Sequence, residues 1–342
     1  MELSILSVED YEMVHYNSPQ LFIAHKANVI TYKTDKEILK IKMPKQFYGI
    51  KTICLFFRKS RRLLRLDKAM ILPTDGGVVL FRQGEIWRYY FDNNKWVKTE
   101  VKLNCRNPMY NGLLRLPNGD ILVGEYGNRT SIGKKIFKST DGGSTWECVF
   151  TFNPVDIHHI HCLAWDPYEE NIWVFTGDTD NECKILRSDV GFQNIETVGS
   201  GSQVYRACHA LFLKDSIDWM MDSPLEQVRH VKFDRKTKEI TLHDSFAGPI
   251  WFAQQLEDGT AIAASAQEIG PSHTDKKLHV YVTNDMLRWT EVASFEHDGW
   301  PKSYFRFGTM TFAKENRRRN DIYMSCEGVK WLDGKSIRVS VG

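Results

Sequence analysis

The stretch FKSTDGGSTWECV, residues 137–149, decides how the rest of the chain is read. It sets Ser139, Asp141, Gly143 and Trp146 in order between two strand-like runs. An aspartate at the head of a tight turn accepts hydrogen bonds from the backbone just ahead of it. Glycines supply positive φ, and the tryptophan returns the chain to an apolar core. D-G-G alone is a common hairpin turn. Recurrence at a fixed spacing would make it architectural.

It does recur. Asp189 lies 48 residues beyond Asp141, in KILRSDVGFQNIETV, and Asp285 lies twice that distance further on, in HVYVTNDMLRWTEV. Asp333 follows after another 48, in VKWLDGKSIRV. VKFDRKTKEITL supplies Asp234, YYFDNNKWVKTE supplies Asp92 and ITYKTDKEILKI supplies Asp35. The seven turns are spaced by 57, 49, 48, 45, 51 and 48 residues, and each is flanked by alternating apolar residues, the period of strands. A second turn precedes most of them, as in LPTDGGVVL (72–80), RLPNGDILVG (115–124), WDPYEENIWVF (165–175) and LEDGTAIAAS (256–265). Each period therefore reads strand, turn, strand, loop, strand, Asp turn, strand. Four strands in roughly 40–50 residues make one propeller blade. The spacing predicts an all-β, seven-bladed β-propeller of four-stranded antiparallel blades, one domain over residues 1–342. The N-terminal strand LSILSV completes the last blade in this scheme. Two packed β-sandwiches are the competing arrangement.

Composition narrows the partners. The 342 residues carry 45 basic and 43 acidic side chains, a net charge of +2, which gives no bulk argument for nucleic acid or an anionic membrane. The basic run RKSRRLLRLDK (58–68) is expected to be a solvated loop edge. The N-terminus shows no basic and apolar leader, and no apolar run reaches membrane-span length. Seven cysteines without a CxxC pair point to buried, reduced thiols and a cytoplasmic protein.

Propellers bind ligands at one end of the channel. The lining comes from the loops that lead into each innermost strand and those joining second and third strands. The repeat places RNPMYNG, DIHHIHC, GSQVYRACH, AGPIWF and KSYFRFG among the lead-in loops. FRQGE, GEYGNR, TGDTDNE, MDSPLEQVRH, SAQEIGPSH and CEGVK are the second-to-third loops. Their arginines, histidines, tyrosines and carboxylates suit an anionic or polyhydroxylated ligand. The candidate substrate-binding residues are Arg129, His158, Arg206, Gln227, Tyr304, Arg306 and Glu327. Glycoside hydrolysis needs two carboxylates across the scissile bond, and Asp178, Asp180, Glu125 and Asp222 are the candidates. Elimination needs a tyrosine or histidine base beside a metal or an arginine, and Tyr205 adjoins Arg206. His159 and His161 share one face of a strand, so both could bind a divalent metal, with His209 as a third ligand.

Ser-x-Asp-x-Gly-x-Thr-Trp resembles the Asp-box, or BNR repeat, of sialidase-like propellers. GLLRLPNGDILVGEYGNR followed by KSTDGGSTW is similar to the opening sialidase blade, with Glu125 and Arg129 near its Glu-Gly-Arg position. The sialidase Arg-Ile-Pro lead-in is replaced by MYNG, and its acid/base aspartate is missing from NRTSIGKK. The whole-chain pattern, including GSQVYRA and DSPLEQ, looks like uncharacterised prokaryotic BNR-repeat proteins of polysaccharide loci. The resemblance implies a propeller that cleaves a glycosidic bond in an acidic oligo- or polysaccharide, hydrolase-like, at the axial pocket. The His-x-His pair is similar to that of oligogalacturonate-type lyases, in which a metal neutralises the uronate carboxylate. Metal-assisted elimination and a non-catalytic glycan- or protein-binding propeller are the alternatives.

Overall fold

The computed structural model describes residues 2–127, 131–268, 270–273, 275–315 and 318–342. These residues form seven four-stranded sheets, the blades of a seven-bladed β-propeller. The blades span residues 13–42, 70–102, 113–151, 159–200, 211–245, 250–296 and 309–341. The N-terminal strand Leu3–Glu9 pairs antiparallel with Lys335–Val341 and completes the seventh blade. By contact, the chain divides into two compact units. One holds residues 1–68, 224–228 and 244–342, and the other holds 69–223 and 229–243.

Burial grades across each sheet, and the residue pattern follows it. Second strands such as Gly77–Arg82, Ser216–Met220 and Ala261–Ser265 are buried at every position. They read as near-continuous apolar runs, as strands covered on both faces do. Fourth strands such as Glu147–Thr151 are largely open to solvent and mix polar with apolar residues. In the second unit Leu122, Ile136, Ile160 and Val174 pack between the third and fourth blades.

The Asp141 hairpin has the hydrogen bonding its sequence calls for. Asp141 Oδ1 accepts from the amides of Ser144 (3.0 Å) and Thr145 (2.9 Å), and Oδ2 accepts from Thr145 Oγ1 at 2.7 Å. Gly143, at φ 92°, sits where a Cβ would lie 2.2 Å from Val79 Cγ2. Trp146 Nε1 donates to the Gly143 carbonyl, and its ring packs edge-on against Phe81. Asp189, Asp234 and Asp285 accept from backbone amides two to five residues ahead in the same third-to-fourth turns. Asp35 and Asp92 occupy equivalent turns, where Thr34 Oγ1 accepts from the Lys36 amide and Asn93 Oδ1 accepts from the Lys95 amide.

Asp333 corrects the repeat. It falls between the second and third strands of the seventh blade, because Leu3–Glu9 supplies that blade's fourth strand. Its Oδ1 accepts from the Gly328 amide at 2.9 Å, and its carboxylate pairs with Arg58. The sixth spacing, the 48 residues from Asp285 to Asp333, is a coincidence of closure.

The basic run is also corrected. Residues 58–64 form a helix, α2 (Arg58–Leu64), after the short helix α1 (Ile50–Cys54). Arg61 and Arg62 are buried. Arg61 donates through Nε and Nη2 to Glu12 Oε1 at 2.8 and 2.6 Å. Arg62 donates to the Phe305 carbonyl at 3.0 Å and pairs with Asp298 and Asp333. Arg58 bridges Asp67 and Asp333. Burying a guanidinium costs several kcal/mol unless carboxylates compensate it. For the buried Arg61 and Arg62 the carboxylates, Glu12, Asp298 and Asp333, come from positions remote in sequence, so the run itself does not reveal its burial. No described helix is long and apolar enough to cross a membrane.

Candidate functional site

The loops of the fourth blade gather three histidines around one carboxylate, and the lead-in to the fifth blade adds Gln203 and Arg206. His158 ends the lead-in loop and His159 opens the strand His159–Asp166. A register shift between Ile160 and Cys162 leaves His161 as the extra residue. Asp178 follows the strand Asn171–Gly177. Its Oδ2 lies 3.3 Å from His158 Nδ1 and 3.3 Å from His159 Nε2, and its Oδ1 lies 3.3 Å from His161 Nε2. Tyr126 stacks on His159 with ring centroids 4.0 Å apart, and His158 stacks on the same imidazole at 3.9 Å. His158 and Asp178 are about one-third exposed and reach solvent, whereas His161 is buried.

Local chemistry fixes Asp178. Glu182 folds back to accept from the Asp178 and Thr179 amides and from Thr179 Oγ1, closing a capping box. Gln203 Nε2 donates to the Asp178 carbonyl at 3.1 Å and to Asp180 Oδ1 at 2.8 Å. Arg206 Nη1 donates to the Asp178 carbonyl at 3.0 Å. The rest of its guanidinium lies 3.5 Å from both Asp178 Oδ1 and Asp222 Oδ2. A Cβ at position 177 would fall 2.8 Å from His161 and 3.2 Å from Arg206, so Gly177 makes room for both.

The charges are arranged to keep Asp178 ionised. Burial opposes this, but the His161 contact, His159 and Arg206 outweigh it and hold its carboxyl well below the usual carboxylate range. Burial lowers the His159 pKa to about 3 against the pull of Asp178, with His161 and His158 adding to the lowering. His159 is therefore a neutral imidazole at pH 7. Deeper in, His161 Nδ1 lies 3.6 Å from Asp222 Oδ2, to which the Cys208 thiol donates at 3.1 Å. Burial, then Asp222, pushes the Cys208 thiol well above its ordinary value. Among the described residues, two sets of side chains have ligand atoms close enough to hold an ion: His158, His159 and Asp178, and the buried His161, Cys208 and Asp222.

The remaining candidates lie elsewhere or are engaged. His209 belongs to neither set. It is buried, its Nε2 accepts from the Met220 amide at 3.2 Å, and burial followed by His230 lowers its pKa to about 3. Tyr205 packs its ring over Gly199, where a Cβ would meet Cε1 at 2.0 Å. Glu125 is buried and accepts from the amides of Asn104 and Lys135. Asp180 is exposed and bound to Gln203. Gln227, Tyr304, Arg306 and Glu327 belong to the other unit. There Glu327 pairs with Lys68, Gln227 donates to the Phe246 carbonyl, and Tyr304 and Arg306 are exposed. Arg129 lies outside the described residues. Tyr126, Gln203 and Cys208 were not singled out from the sequence. Each lies in a loop the repeat assigns to the ligand-binding end, which is the only signal available for them.

No protein-family model and no curated protein matches the chain. Solved structures share the fold. The extracellular domain assigned to a hybrid two component system, BT4673, of B. thetaiotaomicron matches with a TM-score of 0.57 and 9% identity. That match covers 99% of this chain and 42% of the other. The β-propeller domain of Cps50 (Swd1) from Myceliophteria thermophila matches with a TM-score of 0.54 and 8% identity, over 99% of this chain and 100% of that one. At such identities the likeness concerns the fold alone.

Proposed function

We propose that this chain is a carbohydrate-active propeller that binds an acidic glycan at His158, His159 and Asp178 through a divalent cation and cleaves it by elimination. The observation that carries this reading is the pair of 3.3 Å separations from Asp178 Oδ2 to His158 Nδ1 and His159 Nε2. Ligand atoms bound at about 2.0–2.1 Å around a tetrahedral ion lie about 3.4 Å apart, so the donors are spaced for one cation. Two imidazoles and a carboxylate leave coordination positions open and suit zinc, manganese or iron. The exposure of His158 and Asp178 lets a ligand carboxylate reach those positions.

Hydrolysis is the weaker alternative, because Glu125, Asp180 and Asp222 are already engaged by protein groups. When bound, the cation neutralises the uronate carboxylate and acidifies the adjacent C5 proton. Arg206 and Gln203 position Asp178 from behind. Tyr126, which stacks on His159, is the side chain assigned here as the base, acting once its hydroxyl has lost its own proton to water. It takes the C5 proton, the C4–O bond breaks, a C4=C5 double bond forms, and the leaving oxygen is protonated by water. The hairpins at Asp141, Asp189, Asp234 and Asp285 support placing the chain with Asp-box propellers. The test is to incubate the protein with oligouronates and follow the near-ultraviolet absorbance of the unsaturated product. The reading expects absorbance that a chelator abolishes and added manganese or zinc restores. New reducing ends without that absorbance would favour hydrolysis, and the absence of both binding and cleavage would overturn the reading.

A further inference from the structure

Between the first and second blades the chain leaves the sheets for residues 43–69. Met43, Phe47 and Leu66 anchor this excursion in the core, but α2 is built with its polarity reversed. Its arginines point inward to Glu12, Asp67, Asp298 and Asp333, while Leu63 and Leu64 are exposed. α1 buries no residue. Tyr48, Ile50, Ile53, Phe56 and Phe57, five of ten consecutive residues, are each more than 60% exposed, and Phe56 reaches 80%. Isolated exposed apolar residues are ordinary, but a cluster of this size marks a surface that meets something.

Charge identifies what it meets. Residues 43–66 contain seven lysines and arginines and no aspartate or glutamate. Three arginines mount α2 and Arg65 is half-buried beside Glu327, which leaves Lys45, Lys51 and Lys59 exposed among the apolar side chains. The Lys59 ammonium lies 3.9 Å from the centroid of the partly exposed Trp300 ring, and that of Lys45 lies 4.9 Å from the Tyr48 ring. Protein interfaces deplete lysine where aromatic residues cluster. A bilayer interface favours the combination, because apolar tips enter the acyl boundary while lysine stems extend to headgroup phosphates. The ion pairs of Arg58, Arg61 and Arg62 anchor α2, which carries the C-terminal end of this face.

We propose that residues 43–66 form a docking face for an anionic lipid surface, which seats the propeller peripherally on a membrane. The test uses the intact protein in flotation assays with vesicles of phosphatidylcholine alone or mixed with phosphatidylglycerol. The expected result is at least about tenfold stronger partitioning to the anionic vesicles, weakened by salt. The double variant Phe56→Ser/Phe57→Ser alters exposed residues only and should keep the wild-type melting temperature while losing at least about tenfold in partitioning. Lys51→Glu/Lys59→Glu should lose the preference for anionic vesicles. Equal partitioning to both vesicle types, or full binding by the Phe56/Phe57 variant, would overturn the proposal. So would a concentration-dependent dimer that dissociates in that variant, since a second copy would then cover the face.

Discussion

Replacing Arg206 with lysine tests how the histidine–aspartate cluster is held. The guanidinium is buried and spans two blades. It donates to the Asp178 carbonyl at 3.0 Å and lies 3.5 Å from the carboxylates of Asp178 and Asp222. A lysine keeps the charge but has one compact ammonium, which cannot address both carboxylates at once. A buried hydrogen bond to a charged group contributes about 1.5–3 kcal/mol, so Arg206→Lys should cost about 1–3 kcal/mol. With unfolding entropy scaling with chain length, that loss is a fall of about 1–4 °C in melting temperature for a chain of this size. Arg206→Met should cost more, about 3–5 kcal/mol, because it leaves Asp222 buried without its cation. Scanning calorimetry and guanidinium denaturation at neutral pH would measure both. The reasoning fails if the two variants melt with the wild type, or if lysine is as damaging as methionine.

Other parts of the fold give further expectations. Asp141→Ala removes the acceptor of several hairpin bonds and should cost about 1–2 kcal/mol in denaturant titrations. Gly143→Ala should cost about 2–4 kcal/mol, since its Cβ meets Val79 at a positive φ; unchanged stability would contradict the hairpin geometry. Asp67 is buried, which raises its pKa, but Lys68 and Arg58 outweigh burial and bring it down to about 2. A carboxyl depressed on folding contributes stability that is present above its unfolded pKa and lost as pH falls through its folded one. The stability gap between wild type and Asp67→Asn should therefore be constant near neutrality and narrow from about pH 4 toward pH 2. A gap independent of pH would show that the Arg58–Asp67 pair contributes nothing.

Much of the architecture was legible because each blade repeats the same local chemistry. The Pro-Asn-Gly and Asp-Gly turns end first strands, the Asp turns end third strands, and the intervening runs had the right lengths. The N-terminal strand completes the last blade as expected, and that closure makes Lys335–Val341 a third strand, so Asp333 just before it cannot sit in a third-to-fourth turn. A turn aspartate and a loop aspartate look alike when the fourth strand comes from the other end of the chain. The 58–68 run misled for a related reason. Its charge pattern is that of a solvated edge until Glu12, Asp298 and Asp333 arrive from distant positions to neutralise it. At the candidate site, alternation placed His159 and His161 on one face, and the structure aims both at Asp178. Pairing them with His209 failed, since a strand bulge and the Met220 backbone decide where those rings go. Tyr205 adjoins Arg206 in a lead-in loop, but the absence of a side chain at Gly199 opens a seat for its ring there. Such vacancies are contacts between strands, and a single sequence does not encode them in any local pattern.

The central claim rests on three side chains sharing one ion, and metal content tests it most directly. Protein purified without chelators and dialysed against zinc or manganese should retain one ion per chain by elemental analysis. Its nearest donors should be His158 Nδ1, His159 Nε2 and an Asp178 oxygen, at about 2.0–2.2 Å. His159→Ala and Asp178→Asn should each lose the ion while staying folded, and His209→Gln should retain it. A wild-type protein that takes up no metal, or a His159→Ala variant that holds it as tightly as the wild type, would contradict the account.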